Sequence, residues 1–123
     1  DSETGLTTMM QGSFEIIVST PERAFMECLN LVPRQYNLMD LFHVMEQLTA
    51  LRPWMVQALL EQNNSVKIKR LFLYMAEKAS HEWFSSLELS KIYTGSGKRK
   101  IVPDGVYDSK YQIVLPEELI KYE

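Results

Sequence analysis

The sequence predicts an α+β fold, with a body of about four helices packed against a small, mostly antiparallel sheet. Three observations lead there. Between residues 19 and 79, apolar side chains recur at helical spacing in four stretches, each behind a start signal. Residues 6–18 are rich in Thr, Met, Ile, Val and Phe, as strands are. Beyond Trp83 the helical period gives way to short β-type segments punctuated by turn residues. A chain of 123 residues fits one domain able to bury a core without staples. Its 46% hydrophobic and 24% charged residues are an ordinary globular composition.

The elements follow in order. Gln11-Gly12-Ser13 divides the first segment into two strands joined by a turn. Ser19 and Glu22 have the spacing of a capping box, and Pro21 suits a first helical turn. Ala24, Phe25, Cys28, Leu29 and Val32 give that helix one buried face, and Pro33 ends it. Asn37 with Asp40 opens a second helix carrying Leu38, Leu41, Phe42, Met45 and Leu48. Pro53 opens a third, with Trp54, Val56, Ala58, Leu59 and Leu60, stopped by Gln62-Asn63-Asn64. Ser65 opens the fourth and longest, running to about Ala79. Its wide stripe of Ile68, Leu71, Phe72, Met75, Ala76 and Ala79 makes it central, with Lys67, Lys69, Arg70 and Lys78 on its other faces. Glu82 to Leu89 reads as a short helix or turn, and Ile92-Tyr93 as a brief strand. Val102-Pro103 and Asp104-Gly105 mark a turn, Asp-Gly being a favoured hairpin pair. Tyr111 to Leu115 is a strand by composition, and Pro116 to Leu119 starts a terminal helical turn.

Charge is segregated along the chain. Residues 67–100 hold eight Lys or Arg against three acids, a balance of +5, while the remainder holds five basic residues against thirteen acids, −8. The densest basic run, Lys98-Arg99-Lys100, ends a glycine loop beginning Gly95-Ser96-Gly97. Lys67, Lys69 and Arg70 begin the long helix. These six residues are the candidate nucleic-acid or anion contacts, because a basic surface on an otherwise acidic chain suits phosphates. A solvated face with a mobile loop is the bland reading of the same run.

Other chemistry is sparse. His43 and His81 lie far apart beside the single Cys28, without zinc-ligand spacing, and His43 reads as a hydrogen-bonded structural residue. Cys28 sits on an apolar stripe, as a buried thiol would, and a reducing cytoplasm is its natural compartment. No hydrolase, nucleotide-cradling or zinc-protease motif occurs, so neither a cofactor, a metal nor a small-molecule substrate is expected. No signal peptide opens the chain, and no apolar run reaches the roughly 18 residues of a membrane span. The second and third helices could pass for a helix-turn-helix. The would-be reading helix, however, shows Trp54, Met55, Gln57, Glu61 and Gln62 and no cation, which favours core packing. Pro103-Asp104 with Asp108-Ser109-Lys110 is similar to the metal-holding signature of nucleases, at shorter separation. A turn at Asp104-Gly105 explains the same residues without chemistry. A metal-dependent nucleic-acid enzyme is therefore the rival reading, and a plain protein-interaction module the third.

Three segments carry a family resemblance: Ile16-Ile17-Val18-Ser19-Thr20-Pro21-Glu22-Arg23-Ala24, then Val66-Lys67-Ile68-Lys69-Arg70-Leu71-Phe72-Leu73. The third is Ile92-Tyr93-Thr94-Gly95-Ser96-Gly97-Lys98-Arg99, with Tyr111-Gln112-Ile113-Val114-Leu115-Pro116 after it. In this order they resemble the C-terminal domain of AbiEi-type antitoxins, abortive-infection proteins of bacterial type IV toxin–antitoxin systems. The resemblance implies a non-enzymatic domain that counteracts a nucleotidyltransferase toxin without a stable complex with it. It also implies an N-terminal winged helix-turn-helix that represses the operon. No such domain precedes these segments here, and Asp1-Ser2-Glu3-Thr4-Gly5 opens without an initiator methionine. Residues 1–123 are thus expected to be a single domain excised from a longer protein, binding DNA mainly through the missing part.

Overall fold

The computed structural model describes residues 3–123. Two strands, β1 (Leu6–Gln11) and β2 (Phe14–Ser19), form an antiparallel hairpin. Its two-residue turn puts Gly12 first, at φ +64°, where a type II′ turn places glycine. Four helices follow: α1 (Pro21–Leu29), α2 (Leu38–Gln47), α3 (Pro53–Gln62) and α4 (Val66–Lys78). Two 3-10 turns, Glu82–Ser86 and Leu89–Lys91, lead to β3 (Arg99–Lys100), β4 (Val106–Asp108), β5 (Ile113–Leu115) and a last helix, α5 (Glu117–Lys121). The architecture is α+β, as the sequence predicts.

Most start signals act as read. The Asn37 side chain accepts from the Met39 and Asp40 amides, and Ser65 Oγ from the Ile68 amide, satisfying donors that a helix start leaves open. At α1 the capping box does not form. Thr20, not Ser19, precedes the helix, and its hydroxyl donates to the Gly5 carbonyl at 2.9 Å. Ser19 Oγ instead donates to Glu27, and Glu22 turns inward to Arg52. Both capping partners are diverted, Ser19 to Glu27 further along α1 and Glu22 to Arg52, 30 residues away.

Helix α4 is the axis of the core. Burial runs unbroken from Ile68 to Ala76, so the helix has neighbours on every side. Helices α1 and α2 pack on it, Phe25 meeting Phe72 edge-on with ring centroids 6.0 Å apart. Trp83 closes the other side of Phe72, its indole N–H donating to the Leu48 carbonyl at 2.9 Å. The fully buried side chains include Leu29, Met45, Leu60, Leu71, Ile113, Leu115 and Leu119. The core therefore joins helices to the second sheet.

That sheet has the order β3-β5-β4, with β5 antiparallel to β4 and parallel to β3. Asp104-Gly105 lies in the bent segment joining β3 to β4, but these strands are not partners, because β5 inserts between them. The reason is a close approach: a Cβ on Gly105 would lie 2.2 Å from the Leu115 carbonyl oxygen. Gly105→Ala should therefore destabilise the protein by about 1–3 kcal/mol, read as a lower urea midpoint. An unchanged midpoint would show that the turn moves off β5 freely.

Ile92-Tyr93 forms no strand. Ile92 is buried and Tyr93 exposed, and the Tyr93 and Thr94 carbonyls are taken by Lys69 and Arg70 rather than by a neighbouring strand.

Candidate nucleic-acid interface

The six candidate cations fall into two groups that meet at one place. The first half of α4 lies beneath residues 93–97, with Val66, Lys69 and Arg70 against that segment. Arg70 Nε donates to the Thr94 carbonyl at 2.8 Å, and Nη1 to the Gly97 and Gln112 carbonyls at 2.7 and 3.2 Å. One guanidinium thus ties the start of the glycine loop, its end and the approach to β5, as its planar fork of donors allows. Lys69 Nζ donates to the Tyr93 carbonyl at 2.9 Å. Arg70 is 2% exposed and Lys69 5%. Their bonds end on carbonyl oxygens rather than on a carboxylate, so both charges stay unneutralised by partners just under the surface.

The sequence places Lys67, Lys69 and Arg70 on faces of the long helix away from its apolar stripe, and in the fold Lys69 and Arg70 on those faces are buried. Lys69 and Arg70 are internal supports of the loop. Lys67, half-buried, donates to the Asn30 and Val32 carbonyls just after α1, where the helix leaves acceptors open. Burial, and then the nearby charge of Arg99, lower the Lys67 pKa; burial alone lowers that of Lys69. The Arg99 effect places Lys67 and Arg99 in one electrostatic neighbourhood.

The outward group is Lys98, Arg99 and Lys100, all exposed. They do not belong wholly to a loop. Arg99 and Lys100 form β3, the Arg99 amide donating to the Gln112 carbonyl at 2.9 Å. A Cβ added at Gly95, which sits at φ +73°, would lie 3.0 Å from the Val66 side chain, so the loop is seated on α4. Lys98 Nζ stands 5.1 Å from the centroid of the Tyr107 ring. Neither Tyr107 nor Tyr93 stood out in the sequence. Tyr107 reaches the cations only because β5 brings β4 into the same sheet, and no local spacing signals that.

This arrangement of exposed cations held by buried ones coincides with a family match. Residues 1–116 fit a family model described as transcriptional regulator, AbiEi antitoxin, type IV toxin–antitoxin system. The chain belongs to this family. No curated protein and no solved structure matches it. The AbiEi family is one of regulators and antitoxins, in agreement with the resemblance drawn from the three segments.

In this AbiEi-family chain two residues of the rival nuclease reading, Asp108 and Lys110, have structural partners. Asp108 Oδ2 accepts from the Tyr111 amide at 2.8 Å, closing a turn. Lys110 Nζ donates to Glu77 Oε2 at 2.7 Å and the Tyr111 hydroxyl to Glu77 Oε1 at 2.6 Å, while Asp104 is exposed. Burial and then Asp108 push the Tyr74 phenol up to about 12. Burial acts to raise the Glu77 carboxyl, but Lys110 and Tyr111 reverse this and hold it below the usual range. Among the described residues no three His, Cys, Asp or Glu gather as metal ligands, and no helix is long and apolar enough to cross a membrane. His43 pairs with Glu46, and His81 Nε2 lies 2.6 Å from the Met45 carbonyl oxygen.

Proposed function

We propose that this domain counteracts a nucleotidyltransferase toxin and supports autoregulation of its operon, acting in the cytoplasm without a stable toxin complex. It does so as one domain of a longer protein whose N-terminal winged helix-turn-helix supplies the main DNA contact. Its own contribution is an auxiliary surface of Lys98, Arg99 and Lys100 that meets nucleic-acid phosphates, backed by the charges of Lys67, Lys69 and Arg70. The observation that carries this reading is the Arg70 clamp. It fixes the loop at Thr94, Gly97 and Gln112 and so presents three adjacent cations on an ordered edge. Preorganised cations lose less conformational entropy on binding than mobile ones.

Growth rescue tests it. The chain is co-expressed with the nucleotidyltransferase encoded beside its gene, as wild type and as the Lys98→Ala, Arg99→Ala, Lys100→Ala triple variant. The wild type should restore growth and the folded triple should not. The triple should also flatten the salt dependence of duplex DNA binding by about 0.9 in log–log slope per lost contact. Unchanged rescue and an unchanged slope would remove the basic edge from the function. Absence of any salt-sensitive affinity in the wild type would leave the plain protein-interaction module.

A further inference from the structure

We propose that the outer face of the β3-β5-β4 sheet is a stacking platform for single-stranded nucleic acid, with Tyr107 receiving an unpaired base and Lys98 and Lys100 its flanking phosphates. The proposal rests on the nucleic-acid reading of the basic edge and adds the form of the ligand.

The register carries it. Lys100 pairs with Val114 and Val114 with Tyr107, so these three side chains form one row across the sheet. Ile113 and Leu115, on alternate positions of β5, are fully buried in the core cluster. Val114 lies outside that cluster yet is only 5% exposed. The row thus lies at the parity opposite to the core-facing Ile113 and Leu115, with Lys100 and Tyr107 exposed at its two ends. Lys98, two residues before Lys100, extends over the Tyr107 ring, which remains 44% exposed. The result is an aromatic surface on β4 facing two lysines from the β3 side, across Val114 of β5. Asp108 falls at the opposite parity, paired with Ile113, and its carboxylate accepts from the Tyr111 amide.

Chemistry selects the occupant. An aromatic face beside cations that can track a backbone is how proteins hold single strands, because every base has a π-face and every nucleotide a phosphate. Duplex DNA stacks its bases internally and offers none to Tyr107, so it would use the lysines alone. The lysine over the ring is not an obstacle. A cation at an exposed aromatic face is held weakly, and Lys98 follows Gly97, at φ +84°. On binding, its ammonium moves to a phosphate and the ring face receives the base.

The test uses fluorescein-labelled 12-nucleotide RNA and DNA single strands of one mixed sequence, and the corresponding DNA duplex, titrated with the 123-residue chain at several salt concentrations. Single strands should bind more tightly than the duplex. Tyr107→Ala should weaken single-strand binding about 5- to 150-fold and leave duplex binding unchanged, while Tyr107→Phe should retain it within about twofold. Tighter RNA than DNA would add a ribose contact to the platform; equal affinities would assign it to stacking and phosphate alone. If Tyr107→Ala binds single strands as the wild type does, while the triple cation variant loses them, the platform is wrong and the basic edge stands. If the wild type binds none of the three probes, both readings fall. Thermal midpoints of both Tyr107 variants, expected to match the wild type, exclude unfolding as the cause.

Discussion

Arg70→Ala is expected to lower stability by about 3–5 kcal/mol and to abolish growth rescue together. The guanidinium makes three bonds to carbonyls at 2.7–3.2 Å from a site 2% exposed to solvent. Each bond to a charged donor is worth about 1.5–3 kcal/mol net, and their loss leaves buried acceptors without partners. Against a typical domain stability of about 5–15 kcal/mol this is a large fraction. Thermal unfolding should show a midpoint lower by about 10–20 °C. Arg70→Lys should recover only part of the loss, since one ammonium at the end of a flexible stem does not reproduce the fork. Hydrogen exchange separates the local effect from the global one. In Arg70→Lys the Arg99 and Ile101 amides, which donate to Gln112 and Val114, should lose protection more than those of α2. Uniform loss of protection would assign Arg70 a general role in the core with no special hold on the basic edge.

Glu22 gives the second large effect, and its dependence on pH can be signed. Its carboxylate, 2% exposed, accepts from Arg52 Nε at 3.1 Å, Nη2 at 2.9 Å and the Arg52 amide at 2.8 Å, joining the start of α1 to the start of α3. Burial pushes the carboxyl up, but the Arg52 guanidinium and amide more than reverse it, holding it at about 2 against an ordinary 4.5. The folded value lies below the unfolded one. The pair therefore stabilises fully above about pH 4.5, and its contribution is lost as pH falls towards 2. Glu22→Gln should reduce stability near pH 7 by about 2–3 kcal/mol, less than a fully buried pair would lose, because Arg52 is half-exposed and water can solvate it. Urea midpoints of wild type and variant should converge between pH 4.5 and pH 2.5. A constant gap across that range would contradict the coupling of Glu22 ionisation to folding.

The hairpin shows how far local pattern reaches. β1, β2 and the Gly12 turn were legible because alternation and turn chemistry are local. Yet Met9, Met10, Phe14, Ile16 and Ile17 are all exposed, where strand composition alone would bury one face. Glu22 has the spacing of a cap but serves Arg52 instead, for the related reason that this partner lies 30 residues away.

The basic edge divides the same way. The sequence by itself determined the four amphipathic helices with their Asn37, Pro53 and Ser65 starts, the centrality of α4, the polarised charge, and the ordered segments that place the chain in the AbiEi family. These follow from spacing and residue chemistry within a few turns of chain. Only the tertiary structure decided what the cations do. A polar helix face can meet water or a strand of carbonyls, and both satisfy it equally well in sequence. In this fold the 93–97 segment covers α4, so Lys69 and Arg70 bond backbone inside the protein while Lys98, Arg99 and Lys100 face outward. The parallel pairing of β3 with β5 and the insertion of β5 beside β4 are long-range choices, fixed by burial of Ile113 and Leu115 and by the clearance at Gly105. They bring Tyr107 beneath Lys98, which no neighbouring residue in the chain foretells.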